Sequence, residues 1–198
     1  MKTYFVLGGY GEIGQIIVRD LFETTKDTIV VAGRNLQKAK AFAVLFNSKR
    51  VLSVCANALN ISQLAKLALR CDILINAAQY DFNLHAMAAC LHAKKHYIDL
   101  GGLYHMTKKQ LKLNKIFKEN RLTAILGCGA TPGITNILAA YGSRFLNSVS
   151  GIHIKFGGKD FTKYNLPFVL PYSAQTILDE FSLPAAKFLN GRMCMIKP

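Results

Sequence analysis

The chain has 198 residues, of which 51% are hydrophobic and 18% charged, a composition that excludes a disordered chain and suffices for one full domain core with a smaller second unit. No apolar run reaches the length of a membrane span, and the stretch after Met1 is too short for a signal peptide, so we expect a soluble, cytoplasmic protein. The formal net charge of +14 attracts anions, but no nucleic-acid-binding motif accompanies it, so we expect neither a nucleic-acid nor a membrane partner.

Apolar runs alternate with helical patterns over most of the chain. The runs that predict strands are TYFVLG, TIVVAG, VLSVC, DILINAA, HYIDLG and TAILG. Helical patterns begin near Glu12, Leu36, Ile61, Phe82, Thr107 and Ile134, and Thr107 is expected to cap its helix. Strands that are apolar throughout and alternate with helices predict an α/β fold with a covered parallel sheet. Six of them match a Rossmann-type doubly wound sheet, whose strands share one carboxyl edge.

The composition changes after about residue 150, and all five prolines lie from Pro132 onward. The stretch GIHIKFGG alternates apolar and polar residues, which predicts an antiparallel strand. PYSAQTILDEFSL predicts a helix, and GRMCMIKP predicts a last short strand. These few elements cannot bury a core of their own. We therefore predict one domain over residues 1–148 and an incomplete second unit over residues 149–198.

Three glycines, Gly9, Gly11 and Gly14, stand between the first predicted strand and the first predicted helix. This is the context in which the G-x-G-x-x-G pattern marks a dinucleotide site. Gly9 would permit the tight turn, Gly11 would let a pyrophosphate approach the backbone, and Gly14 would let the helix pack on the strand. The helix N-terminus would attract the phosphates. The alternative is a purely structural glycine turn.

The end of the second predicted strand indicates which dinucleotide binds. NAD-binding domains usually place a carboxylate there, whereas this chain has Gly33, Arg34 and Asn35, with Lys38 one turn later. A guanidinium binds a 2′-phosphate through charge-assisted hydrogen bonds, and a carboxylate would repel it. We therefore expect NADP rather than NAD. The alternative is that Arg34 is only a surface residue at the start of a helix.

The remaining polar residues predict no metal site. The five cysteines are scattered singly without a C-x-x-C pair, which favours reduced thiols: Cys55, Cys71, Cys90, Cys128 and Cys194. Cys128 is expected to be structural rather than nucleophilic, since no histidine lies near it in the sequence. His96 and His105 are expected to be structural, because no third ligand stands at a usable spacing. The densest lysines lie in TKKQLKLNKIFKEN, which predicts one helix with a solvated basic face.

Four segments together resemble the saccharopine dehydrogenase-like family, and more narrowly its saccharopine reductase and carboxynorspermidine dehydrogenase branch. They are VLGGYGEIG, AGRNLQKA, CDILINAAQYDFNLHAMAACLHAKKHYIDLGG and GCGATPGITNILA. The resemblance runs from residue 3 to about residue 183. It implies that the second unit is the start of an α+β substrate or dimerisation domain.

The resemblance implies cofactor contacts at matching positions. Tyr10, Gly11, Glu12 and Ile13 would hold the pyrophosphate through backbone groups, and Gly33, Arg34 and Asn35 the ribose phosphate. Ala56 and Asn57 would lie near the adenine, where the family usually has Asp in place of Asn57. Asn76, Ala77 and Ala78 would lie beside the cofactor, and Asp99, Leu100, Gly101 and Gly102 near the nicotinamide and substrate.

The resemblance also implies the chemistry, which is the reversible oxidation of a secondary amine in an amino acid. In the segment ATPG, Thr131 takes a position that often meets the substrate and is Asp in several relatives. A hydroxyl can hydrogen-bond there but cannot pair with an ammonium group. Asp99 is the candidate acid or base, with hydrogen bonding inside its turn as the alternative. Lys155, Lys159 and Lys163 are candidate carboxylate anchors, each with a solvated lysine as the alternative, and Gly157 and Gly158 would open the substrate domain.

Members of the family are longer than this chain, which allows three explanations. The first is that the chain is a fragment or a truncated, inactive product. The second is that it pairs with a second chain, or with a copy of itself, that completes the substrate domain. The third is that it is a non-catalytic NADP-binding module. Exposed apolar residues in the second unit favour the first two explanations. The residues concerned are Phe161, Tyr164, Phe168, Leu170 and Phe181.

Overall fold

The computed structural model describes residues 1–159, 161–165, 169 and 173–197. The chain divides into two compact units, Met1–Phe145 and Leu146–Pro198. The predicted limits of the domains, at residues 148 and 149, stay a prediction. Within the described ranges, no helix is both long enough and apolar enough to cross a membrane.

The first unit is built on a parallel six-stranded sheet in the order β3-β2-β1-β4-β5-β6. Its strands are β1 (Thr3–Leu7), β2 (Thr28–Gly33), β3 (Val51–Cys55), β4 (Ile73–Asn76), β5 (His96–Asp99) and β6 (Ala124–Ile125). This order is that of the doubly wound Rossmann fold, which confirms the predicted fold class. The chain reverses direction across the sheet between β1 and β4, so the carboxyl ends of these two strands flank the crevice in which such folds bind ligands.

Seven α-helices of the first unit connect the strands or follow the last one. They are α1 (Glu12–Thr24), α2 (Leu36–Val44), α3 (Ile61–Ala68), α4 (Asn83–Ala93), α5 (Tyr104–Leu111), α6 (Asn114–Glu119) and α7 (Ile134–Ser143). Four of the six predicted helix starts coincide with the first residue of the observed helix. A short 3₁₀ turn, Tyr80–Phe82, precedes α4. Alternate residues of β1 pack into two different buried apolar clusters. Phe5 and Leu7 belong to one cluster, and Val6 belongs to the other. The sheet is therefore covered on both faces, as predicted.

The segment after β5 differs from its prediction in two ways. Thr107 does not cap a helix, because α5 begins at Tyr104 and its N-cap is Leu103, which makes no side-chain cap. The lysine-rich stretch is two helices rather than one, although its five lysines are exposed as expected. Gln110 is polar but buried in α5. The pattern of apolar residues therefore could not identify the buried face of this helix.

Helix α7 is the least covered helix of the first unit. None of its ten residues is buried. Its apolar face consists of Ile134, Ile137, Leu138 and Tyr141, all of them exposed, and Ile137 keeps 70% of its surface accessible. The Tyr141 ring meets the ring of Phe145, which is exposed as well. The described residues therefore leave the apolar face of α7 uncovered.

The second unit contains helix α8 (Ala174–Ser182) and a hairpin of β7 (Ala185–Leu189) with β8 (Arg192–Ile196). The α8 and β8 predictions are confirmed, and β7 was missed. Its signal was the Asn190-Gly191 pair, which has the positive φ angles of a hairpin turn.

The strand predicted for residues 151–158 is wrong, because none of the described residues pairs with this stretch to satisfy its backbone groups. Phe161, Tyr164 and Phe181 are exposed as predicted. Phe168 and Leu170 lie outside the described residues.

Candidate functional site

The ends of β1 and β4 meet at the glycine-rich loop. Gly8 has a φ of 78°, and a Cβ on it would lie 2.9 Å from the backbone nitrogen of Ala78. The left-handed residue of the turn is therefore Gly8 and not Gly9, although the adjacent Gly-Gly pair was visible in the sequence. Gly9 is needed for a different reason, since its Cβ would lie 2.9 Å from the Val6 carbonyl oxygen. Ala77 and Ala78 thus lie at this crevice, and their contact with a cofactor stays a prediction.

The other two glycines place the N-terminus of α1 at the same crevice. A Cβ on Gly14 would overlap the carbonyl group of Gly8, so the helix packs directly on the loop that follows β1, whereas the prediction had it packing on the strand itself. Gly11 is exposed and serves as the N-cap of α1 without a side-chain cap. The first-turn N–H groups near Glu12 and Ile13 therefore have no capping side chain, and they provide the partial positive charge that binds phosphates.

The turn after β2 carries exposed cationic side chains. Gly33 is buried, whereas Arg34, Asn35 and Lys38 are exposed. An open depression beside the glycine loop is lined by Tyr10, Arg34, Asn35, Leu36, Gln37 and Lys38. No carboxylate lines it, and among the described residues none forms an ion pair with Arg34 or Lys38. The depression can therefore accept an anionic group such as a 2′-phosphate.

The end of β3 lies beside this turn. The N–H of Ala56 donates to the Gly33 carbonyl oxygen at 3.0 Å. Asn57 is exposed, and its side-chain oxygen accepts from the Leu59 N–H at 3.1 Å. The Asn57 NH₂ group can still donate to a ligand, but this residue lacks the negative charge of the Asp that the family usually has.

Asn76 lies beneath the crevice rather than in it. Its side chain is buried, and its oxygen accepts from the Ala78 N–H at 3.1 Å. Its NH₂ group donates to the side-chain oxygen of Asn83 at 2.7 Å, which also accepts from the Tyr97 hydroxyl. The predicted cofactor contact of Asn76 is therefore not open to its side chain in this structure. Asn76 instead orients the backbone of Ala78.

Asp99 is fully buried at the end of β5. One carboxylate oxygen accepts from the N–H groups of Gly101 and Gly127, both at 2.8 Å. The other accepts from the Gln110 side chain at 2.6 Å. Only the contact with Gly101 lies within the turn, and those with Gly127 and Gln110 reach other segments, so Asp99 has a structural role wider than the alternative foresaw. The contacts do not support the expected acid-base role, because neither oxygen reaches solvent.

The surroundings of Asp99 form a buried polar cluster that sequence reasoning missed. Burial first, and the nearby Asp99 carboxylate second, raise the pKa of the Tyr97 phenol above its usual range. Tyr97 therefore stays protonated and donates to Asn83. Gly101 and Gly127 both have positive φ, and the ring of Pro132 packs against both glycines. Asp99 and Pro132 together hold the loops after β5 and β6 against each other.

Thr131 lies on the outer side of this arrangement. The residue is exposed, and its hydroxyl oxygen accepts from the hydroxyl of Thr135, in the first turn of α7, at 3.1 Å. The two histidines are engaged elsewhere: His96 Nδ1 accepts from the Thr123 N–H, and the His105 ring packs edge-on against Tyr80. Within the part of the chain that the structure describes, no three His, Cys, Asp or Glu residues are grouped as metal ligands would be.

The lysines expected to anchor substrate belong to the second unit. Lys155, Lys159 and Lys163 are all exposed, and the Lys159 ammonium lies 5.0 Å from the centre of the Phe161 ring. Gly157 and Gly158 have open space around them. Their predicted roles in substrate binding stay predictions.

The thiols should react with iodoacetamide in a definite order. At about pH 8 we expect Cys55 and Cys194 to react first, since both are exposed. Cys128 is exposed as well, but partial desolvation and the Asp99 carboxylate raise its pKa, so fewer thiolates form and its rate should be severalfold lower. Burial raises the pKa of Cys71 to about 12 and that of Cys90 further, so both should react only on unfolding. Timed quenching and peptide mass spectrometry give the rates, and native labelling of Cys90 as fast as Cys55 would contradict the described core.

The sequence and the fold both match known proteins. A family described as "Saccharopine dehydrogenase NADP binding domain" matches residues 5–125, more than half of the chain. A carboxyaminopropylagmatine dehydrogenase from a Synechocystis species is 29% identical over 142 residues, which are 67% of this chain and 36% of that protein. A carboxynorspermidine synthase from Vibrio cholerae is 26% identical over 160 residues, which are 70% of this chain and 39% of that protein.

Among solved structures, the apo saccharopine dehydrogenase (L-Glu forming) of Saccharomyces cerevisiae matches with a TM-score of 0.73 at 17% identity. The match covers 100% of this chain and 44% of the yeast chain, and it supports the fold assignment. The chain thus spans less than half the length of each of these three proteins.

Proposed function

The chain belongs to the saccharopine dehydrogenase family, in the part that binds NADP, and from this we propose that it is the cofactor-binding portion of an oxidoreductase acting on the CH–NH group of a secondary-amine amino acid. The observation that carries the proposal is the pairing of two features at one crevice. The uncapped N-terminus of α1 suits a pyrophosphate, and the exposed Arg34 and Lys38 beside it suit a 2′-phosphate.

The chemistry follows from the cofactor and from the position of the loops after β5 and β6. NADPH, when bound, supplies a hydride for the carbon–nitrogen double bond that precedes the amine. Thr131 would contribute a hydroxyl to the substrate, and Asp99 would act by holding Gly101 and Gly127 in place. Lys155, Lys159 and Lys163 would attract the substrate carboxylates. Amines of the kind named for the relatives, such as carboxynorspermidine, are the first substrates to test.

The proposal includes a partner that completes the substrate domain, either a second copy or another chain. The exposed apolar face of α7 supports this part, together with Phe161 and Phe181 in the second unit. A cytoplasmic location is also proposed, because all five cysteines are free. The burial of Asp99 favours a second candidate function, a non-catalytic NADP-binding module, since the acid or base expected from the sequence has no surface accessible to solvent.

The cofactor site can be tested with Arg34→Ala and a control that removes the same charge. We expect Arg34→Ala to weaken NADPH binding by about tenfold to a hundredfold, because charge-assisted hydrogen bonds to the phosphate are lost. NADH lacks that phosphate, so its affinity should not change. Arg70→Ala removes an exposed arginine lining a different depression and should leave both affinities unchanged. NADPH and NADH fluorescence titrations measure this.

Two outcomes would count against the cofactor proposal: equal losses for both cofactors in Arg34→Ala, or binding of neither cofactor by the unaltered chain. The two candidate functions are separated by turnover. An oxidoreductase reduces NADP⁺ in the presence of a secondary-amine amino acid and the completing partner. A binding module titrates with NADPH and shows no such reduction.

A further inference from the structure

Tyr10 makes a contact that its place in the glycine loop does not require. Its half-buried ring lies over Gly33, where a Cβ would come within 2.5 Å of ring atom Cε1 and 2.8 Å of the hydroxyl oxygen. The hydroxyl oxygen accepts a hydrogen bond from the backbone N–H of Asn35 at 2.9 Å. The first loop of the fold thus holds the turn after β2, which carries Arg34.

The same turn is held from its other side by the end of β3. The Ala56 N–H donates to the Gly33 carbonyl oxygen at 3.0 Å, and the Cys55 thiol donates to the Arg34 carbonyl oxygen at 3.4 Å. The Asn35 side chain caps α2 by accepting from the Lys38 N–H at 3.0 Å. The backbone around Arg34 is therefore fixed on both sides, although the Arg34 side chain is exposed.

These contacts also determine which groups of the turn can bind an anion. The backbone N–H of Asn35 is bound by Tyr10, and its side-chain oxygen is used by the cap, so neither is offered to a ligand. The cationic groups that remain in the depression are those of Arg34 and Lys38. Their benefit to a bound phosphate depends on how well the turn is ordered beforehand, because an ordered site loses less conformational entropy on binding.

From these contacts we infer that Tyr10 is a specificity-determining positioning residue. Its hydroxyl holds the turn after β2 so that Arg34 and Lys38 face the 2′-phosphate of NADPH. This inference rests on the proposed cofactor site. It concerns the choice between two cofactors, because the 2′-phosphate is the group by which NADPH differs from NADH.

The test is Tyr10→Phe, which removes the hydroxyl and keeps the ring over Gly33. We expect NADPH affinity to fall by about threefold to tenfold, as for the loss of one hydrogen bond, with NADH affinity unchanged. Tyr4→Phe is the matched control, since Tyr4 packs against the same apolar cluster and no hydrogen bond of its hydroxyl is seen among the described contacts. It should leave the ratio of the two affinities as it is.

A second variant displaces the ring from the opposite side. Gly33→Ala adds a Cβ where the ring lies, so the hydroxyl should lose its partner and the NADPH preference should narrow. Tyr10→Phe should then have no further effect on the affinity ratio in the Gly33→Ala background. Independent, additive effects of the two changes would overturn the inference.

The outcomes for Tyr10→Phe separate the inference from the proposal on which it rests. A narrowed NADPH preference supports the inference. An unchanged preference, or equal losses for both cofactors, overturns the inference and leaves the cofactor site intact. An unaltered chain that does not prefer NADPH overturns the cofactor proposal and the inference together.

Discussion

Gly14→Ala is expected to abolish NADPH binding and to lower the free energy of unfolding by about 3 kcal/mol or more, the upper part of the range for overpacked sites. The new Cβ would overlap the carbonyl group of Gly8, which is backbone and cannot turn aside. Helix α1 would have to move away from the loop that follows β1. That movement would displace both the helix N-terminus and the exposed backbone of Gly11.

A matched control for this change lies in α7. Gly142 is an exposed helical glycine with nothing within 4 Å of the position a Cβ would take. Gly142→Ala should stabilise its helix by about 0.5–1 kcal/mol and leave NADPH binding unchanged. The chain has no tryptophan, so circular dichroism in urea gives the stability and NADPH fluorescence the binding. Normal stability and binding in Gly14→Ala would show that the loop and helix are not in direct contact.

Asp99→Asn is expected to lower the free energy of unfolding by about 2–4 kcal/mol, because it disrupts a buried carboxylate that is hydrogen-bonded on both oxygens. The new NH₂ group would face either the Gln110 side-chain nitrogen or the two glycine N–H groups, and all of these are donors. At least one buried donor would lose its acceptor. The turns at Gly101 and Gly127 would loosen as a result.

A compensating change distinguishes this explanation from general damage. Gln110→Glu in the Asp99→Asn background restores an acceptor opposite the new NH₂ group, and it can still accept from Asn83. We expect it to recover a large part of the lost stability, as measured by urea denaturation. Asp20→Asn, at an exposed site on α1, should change stability by less than about 0.5 kcal/mol. Full stability of Asp99→Asn, or no recovery with Gln110→Glu, would contradict the described hydrogen bonds.

The sequence predicted the parts of the site that depend on local pattern. The strands could be predicted because they are apolar runs. Gly9, Gly11 and Gly14 could be recognised as a candidate dinucleotide site because they stand between a predicted strand and a predicted helix. Arg34 could be singled out because it directly follows the second strand. In each case, the pattern that allowed the prediction lies in residues close together in the sequence.

The parts that escaped prediction depend on contacts between distant segments. Nothing near Tyr10 in the sequence indicates that its ring lies over Gly33. Gln110 and Asn83 are polar residues in helices and would ordinarily be assigned to the surface, yet they are buried around Asp99. At residues 151–158 the sequence predicted a strand that does not form. An alternating pattern gives a strand only where a neighbouring strand can pair with it.

The exposed helix α7 has a consequence for how order is distributed along the chain. A ten-residue helix with no buried side chain has little to hold it folded, so its amide hydrogens should exchange with solvent far sooner than those of β1 or β4. Its first turn contacts the hydroxyl of Thr131, the candidate substrate contact. A partner that covers α7 would slow this hydrogen exchange and would also reduce the mobility of Thr131. Under the proposed function, the order of Thr131 would depend on assembly, whereas the crevice between β1 and β4, the proposed NADP site, would be formed before a partner binds.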